Sequence, residues 1–443
     1  MRVAIFFSNA LIAFTLFSKM LSAAGETSGD NPREKKKDTA AWTILVYMAA
    51  DNSLAPYASY NIKDMSAGLA SLNGVNVLVQ WDKPRDNKTW RYQITPGSKV
   101  DAGSLNSEMG YDPSNELVKS MQWVVNSYPA NNYALILWDH GSGIEDFYPG
   151  STRGDTWLKL RPQLLGRGIL YDDSQKTCLT NQGLTSALEQ IKQLIGKNLD
   201  LIGMDACLMA MVEVSYQMKG LVNTFVGSEQ TIPGYGFPYS YFIKPLSLNP
   251  AKTNPLQLAT TILSSYKSFY TTQMPTPDFT LSTIDVTSID LIKQNIDQFV
   301  SAVTACSKID VATTKKIIVT ARKASLSFEM PEYIDLYSFY ANILNQTKKT
   351  TPKSSFILEK QNKKTRPKPT KEYQGALTKL NAILQDGLNK ITTVVVQRVA
   401  GAVYAGSKGI AIYYPTSGPL DPTYLKTIFA QNTNWCAFIK SYR

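Results

Sequence analysis

Ala134-Leu135-Ile136-Leu137-Trp138-Asp139-His140-Gly141-Ser142-Gly143 is an apolar run that stops abruptly in a polar, glycine-rich turn. Asp200-Leu201-Ile202-Gly203-Met204-Asp205-Ala206-Cys207-Leu208-Met209-Ala210 repeats the form. Short runs rich in aliphatic and aromatic residues, closed by turn residues, predict buried strands, here at 133–138 and 199–204, with further examples at 42–49, 75–81 and 222–227. Amphipathic stretches at 55–72, 113–126, 181–194 (with Thr180 as N-cap) and 208–218 predict helices between them. Strands alternating with helices are the pattern of an α/β protein with a mostly parallel central sheet. In open sheets of that kind ligands collect at the carboxyl ends of strands, and His140 lies just past such an end.

The length, 443 residues, suggests about two units of the usual domain size, and 44% apolar with 18% charged residues excludes both general disorder and a polytopic membrane protein. Arg2 precedes a mostly apolar stretch, 3–17, followed by Ser22 and Ala24, which reads as an export signal cleaved after Ala24. Ser8 and Asn9 interrupt that stretch and leave it short of the roughly 18 apolar residues of a spanning helix. The expected order is a signal peptide (1–24), a disordered lead-in or pro-segment (25–40), a first α/β domain (41–250) and a C-terminal α/β region (251–443) completing or flanking it. Within that region 255–268, 289–303 and 377–388 look helical and 402–414 strand-like.

The net charge of +11 is concentrated between Lys348 and Lys371, where nine basic residues face a single acid, Glu359. Pro352, Pro367 and Pro369 interrupt this stretch, so 347–373 reads as an exposed Lys/Pro-rich loop, and nucleic acid is not an expected partner. Four cysteines, Cys178, Cys207, Cys306 and Cys436, are too few for a disulfide scaffold, and their pairing is open. With no C-x-x-C and one histidine, a structural zinc site is not expected either.

His140 is the only imidazole in the chain, so any histidine proton chemistry falls to it. Cys207 also follows a strand, and the helix expected from 208 would lower its pKa through the helix dipole. If the two strands are neighbours, His140 and Cys207 share one sheet edge, and a Cys/His pair is a nucleophile with its acid–base partner.

Those residues carry a family resemblance. Trp138-Asp139-His140-Gly141 followed by Asp205-Ala206-Cys207-Leu208-Met209 resembles the clostripain family of cysteine peptidases, relatives of caspases, legumains and gingipains. Trp42 to Asn52, Ser228 to Gly236, Tyr333-Ile334-Asp335-Leu336 and Gly409 to Pro415 resemble further blocks of that family, in order. The resemblance implies a caspase-like α/β/α sandwich and a secreted or periplasmic endopeptidase. Its dyad would be His140 and Cys207, and its substrates proteins or peptides with Arg or Lys before the scissile bond.

The backbone N–H groups of Gly141 and Cys207 are candidates for the oxyanion hole. Asp205, two residues before the nucleophile and on its face of an extended strand, either lines the pocket for a basic side chain or caps the next helix. Asp139 faces away from His140 by the same parity and reads as structural. Ser228 and Glu229 either border the cleft, Glu229 as a second contact for a basic side chain, or are ordinary loop polarity. Self-cleavage within 141–179, which contains Arg153, Lys159, Arg161 and Arg167, and a dependence on Ca2+ follow from the resemblance alone. Glu145, Asp146, Asp155, Asp172 and Asp173 offer oxygen ligands without EF-hand spacing, and the sequence itself requires no cofactor. Two other readings stand beside the peptidase: a catalytically silent family member acting as a binding protein, and a polyanion-binding surface protein using 348–371.

Overall fold

Strand β1 (Ala40–Ala49) is buried along almost its whole length, and both of its edges carry parallel partners. Its side chains alternate between two cores: Leu45 and Tyr47 on one face of the sheet, Ile44, Val46 and Met48 on the other. A strand apolar on both faces needs helices on both, which is the physical origin of the α/β/α sandwich.

The computed structural model describes residues 39–145, 168–350 and 370–443. After β1 come α1 (Ala55–Gly68), β2 (Val75–Asp82), β3 (Thr89–Thr95), β4 (Ser98–Leu105), α2 (Pro113–Ser127) and β5 (Ala130–Trp138). The short pair β6 (Ile169–Asp172) and β7 (Thr177–Leu179) precedes α3 (Asn181–Ile195), β8 (Leu199–Asp205), α4 (Val212–Gln217) and β9 (Val222–Gly227). Next are α5 (Tyr239–Leu248), α6 (Pro255–Ser268), β10 (Thr280–Asp285), α7 (Asp290–Ile309) and α8 (Val311–Ala324). The chain closes with β11 (Tyr333–Asp335), α9 (Leu336–Thr350), α10 (Lys371–Val394), β12 (Val395–Ala400), β13 (Ala411–Tyr413), α11 (Ile428–Asn432) and α12 (Trp435–Tyr442).

The nine-stranded sheet has the order β12-β10-β9-β8-β5-β1-β2-β3-β4. Its five central strands are parallel, and two antiparallel strands extend it on each side. Helices α1, α5 and α6 cover one face, and α2, α3 and the later helices the other. No described helix is long and apolar enough to cross a membrane.

Three expectations change. The helix expected over 208–218 is only the six-residue α4, because Leu208 takes a left-handed φ of 65° and residues 208–211 form a turn. Of the strand expected at 402–414 only the three-residue β13 forms, after a loop, while β12 lies just before that stretch and in the other sheet. The ends of the Lys/Pro-rich stretch are helical, since α9 reaches Thr350 and α10 starts at Lys371. Its centre lies outside the described residues, as do the signal peptide and most of the lead-in.

Candidate active site

β5 and β8 are adjacent and parallel, with Trp138 opposite Asp205, and two residues further along each strand come His140 and Cys207. Asp139 N–H donates to Asp205 O (3.3 Å), carrying the pairing past the strand ends. In the runs 133–139 and 199–206 every residue is buried, whereas His140 and Cys207 are partly exposed. They are the first residues past each strand that are not fully buried.

Gly141 explains how the two turns approach so closely. A Cβ at this position would lie 2.6 Å from the Cys207 carbonyl oxygen and 3.0 Å from the Ala206 Cβ. Only glycine leaves that space open.

Cys207 does not sit at a helix N-terminus, because α4 starts at Val212 and the left-handed Leu208 turns the chain aside first. The expected dipole assistance is therefore absent, and burial pushes the thiol up to about 11 against a smaller opposing hydrogen bond from Ile232 N–H, 3.3 Å from Sγ. The turn is held by the loop after β9: Leu208 N–H donates to Gln230 O (3.1 Å) and Ala210 N–H to Ser228 O (2.9 Å).

His140 stacks on Tyr171 (5.9 Å between centroids, 24° between planes) and its Nε2 lies 2.9 Å from Ser53 Oγ. Burial lowers its pKa, with Asp173 acting in the opposite sense. Asp139 is turned away from the ring: it accepts from Asn52 Nδ2 (2.8 Å) and from Tyr171 N–H. Asn52, Ser53 and Tyr171 were not among the sequence candidates. The sequence signals are that Asn52 closes the family-like block at 42–52 and that Asn52-Ser53 lies just beyond the carboxyl end of β1, the strand beside β5.

Asp205 is buried and does not cap the following helix. Its Oδ2 accepts from Phe237 N–H and Tyr239 OH, both at 2.9 Å, while Oδ1 has no hydrogen-bond partner among the described residues. Burial raises its carboxyl to about 7. Gly236 lets the backbone pass directly over this carboxylate, since a Cβ there would lie 2.6 Å from Oδ2.

Ser228 and Glu229 are not brought to the same edge as side chains. Ser228 Oγ bonds Thr280 Oγ1 (2.8 Å), and Glu229 is 1% exposed, with Oε2 accepting from Gly409 N–H (3.0 Å). Burial and the neighbouring Asp335 carboxyl push Glu229 well up, so it is a proton-sharing partner inside the molecule.

Among the described residues no group of three or more His, Cys, Asp or Glu is arranged to hold a metal ion. Glu145 and Asp172 are buried, with Asp172 Oδ1 accepting from Gln175 N–H; Asp146 and Asp155 lie outside the described residues, as do Arg153, Lys159, Arg161 and Arg167. None of the four cysteines is joined in a disulfide.

The model of the clostripain family matches residues 46–442. Clostripain of Hathewaya histolytica is 26% identical over 246 residues, which are 48% of this chain and 43% of that protein, so the chain spans less than half of that relative's length. Among solved structures, a secreted C11 cysteine protease from Bacteroides thetaiotaomicron in complex with an irreversible peptide inhibitor superposes with a TM-score of 0.61 at 18% identity, over 90% of this chain and all of that one. An inactive zymogen C11 protease from Parabacteroides distasonis gives 0.57 at 19% identity, over 89% and 99%. At these identities the two structures speak for the fold.

Proposed function

The chain belongs to the clostripain family, and from that premise we propose that it is an exported cysteine endopeptidase cleaving after Arg or Lys, with Cys207 as nucleophile and His140 as acid and base. The observation that carries this reading is the β5–β8 register, which sets the two partly exposed side chains at the same level of one sheet edge.

A raised thiol beside a lowered imidazole means that the resting pair is neutral at pH 7. The proton passes from Sγ to His140 as sulfur attacks the scissile carbonyl, and the oxyanion is received by the N–H groups of Gly141 and Cys207. Collapse of the tetrahedral adduct breaks the C–N bond, and His140 returns the proton to the departing amine. Water, deprotonated by His140, then opens the thioester and restores the thiol.

The choice of Arg or Lys draws on Asp205, two residues before the nucleophile, whose buried Oδ1 has no hydrogen-bond partner among the described residues. Ser228 contributes its backbone carbonyl, which accepts from Ala210 N–H just past the nucleophile, while the Glu229 carboxyl is turned to Gly409 and Asp335. Self-cleavage between β5 and β6 and stimulation by Ca2+ belong to the same proposal.

The test is turnover of Arg- and Lys-ended fluorogenic peptides by the processed protein, with and without Ca2+. We expect hydrolysis that disappears in both His140→Ala and Cys207→Ala. No turnover in any condition would overturn the reading in favour of a silent binding protein. Salt-dependent heparin affinity lost with 348–371 would favour the polyanion reading. Cys207→Ala protein purified alone should stay intact; fragmentation at the same site would remove self-cleavage.

A further inference from the structure

The dyad leaves one question open at the imidazole, which is what fixes its rotation and its tautomer. Asp139, its chain neighbour, is committed to Asn52 and Tyr171 and does not reach the ring. Tyr171 stacks on the ring, which sets the plane but not the rotation within it. Ser53 Oγ lies 2.9 Å from Nε2, within hydrogen-bond distance of the ring.

We propose that Ser53 is a positioning residue for His140: its hydroxyl oxygen accepts the Nε2–H hydrogen bond, leaving Nδ1 as the nitrogen that exchanges protons with Cys207 and the leaving amine. This rests on the peptidase reading of the same site.

Two observations on the backbone support the assignment. Ser53 lies in a turn that its neighbour Asn52 anchors from several sides: the two Asn52 Nδ2 hydrogens are shared among Ala49 O (3.1 Å), Asp139 Oδ1 (2.8 Å) and Tyr171 O (2.9 Å), and Leu54 N–H donates to Asn52 Oδ1 (2.9 Å). The same asparagine therefore ties the turn after β1 to both residues flanking the imidazole, Asp139 in sequence and Tyr171 in space. Ser53 itself is exposed, so its hydroxyl hydrogen can point to water while its oxygen accepts.

The direction of the hydrogen bond follows from the chemistry. A serine donating to Nε2 would leave the neutral ring protonated on Nδ1, and that nitrogen could not then take the thiol proton. A serine accepting from Nε2–H keeps the Nδ1 lone pair free in the neutral ring and retains its bond in the imidazolium. Of the ionisable groups near the ring, Asp173 acts on it electrostatically, Asp139 is its chain neighbour and Tyr171 stacks on it.

The experiment exploits the single histidine. In full-length protein labelled with 15N-histidine, the imidazole nitrogens report the tautomer directly, and they do so whether or not a substrate is turned over. The wild type should hold the Nε2–H form, and Ser53→Ala should become a mixture of both forms and titrate at lower pH. In the same variant kcat should fall about three- to tenfold while KM stays within about twofold, the loss of one hydrogen bond. Ser53→Thr, which keeps the hydroxyl, should restore both. Unchanged tautomer and kcat in Ser53→Ala, or a loss that Ser53→Thr does not repair, overturns the proposal. A wild type that holds the Nε2–H form without cleaving any peptide would overturn the peptidase reading and leave the serine's grip on the ring standing.

Discussion

At the carboxylate of Asp205, burial and function oppose each other. The group is held near pH 7 by desolvation, yet the proposed recognition of a basic side chain needs it ionised. Protonation as pH falls through about 7 removes the charge, so kcat/KM for Lys and Arg peptides should decline there, above the limb set by the lowered His140. Asp205→Asn should abolish that upper limb and lower kcat/KM for basic substrates about 10- to 100-fold, as measured in a pH–rate series. His140 and Cys207 were legible because each ends an apolar strand; Glu229 was not, because its burial depends on Gly409 and Asp335, remote in the chain. The dipole argument for Cys207 failed for a local reason, the left-handed Leu208, which no propensity for leucine announces.

Among the elements, the strands running through the sheet centre were readable because apolar faces on both sides leave continuous hydrophobic runs. Helix α6 was readable to the residue, since Asn254 and Gln257 form a capping box and Pro255 opens the first turn. Strand β4 was not: as the exposed edge of the sheet, Ser98–Leu105 carries no apolar alternation. The meeting of the turns after β5 and β8 depends on Gly141, where a methyl group has no room against the Cys207 carbonyl. Gly141→Ala should therefore reduce turnover at least about tenfold while costing only about 1–3 kcal/mol of stability, measured by peptide hydrolysis and urea unfolding side by side.

For the whole molecule, several buried carboxyls lie far above their ordinary range: Asp82 at about 8, Asp205 and Glu213 at about 7, Asp172 at about 6. Desolvation is the leading cause in each, so the folded state binds protons that the unfolded chain releases near pH 4. The stability these groups contribute is complete below about pH 4 and lost as pH rises through the folded values, toward about 8 for Asp82. The melting temperature should accordingly be less favourable at pH 8 than at pH 6, and Asp82→Asn should flatten part of that slope in a calorimetric series.

The pairing of β5 with β8 also bears on what happens when the chain is cut. Ladder hydrogen bonds and packing join the two strands directly, so the peptide link between residues 145 and 168 is not what keeps His140 level with Cys207. A single scission there should yield a nicked molecule whose pieces co-elute on a sizing column and part only on a denaturing gel. Such a two-chain form would keep its dyad aligned, as a hinge keeps two plates aligned after the strap between them is severed.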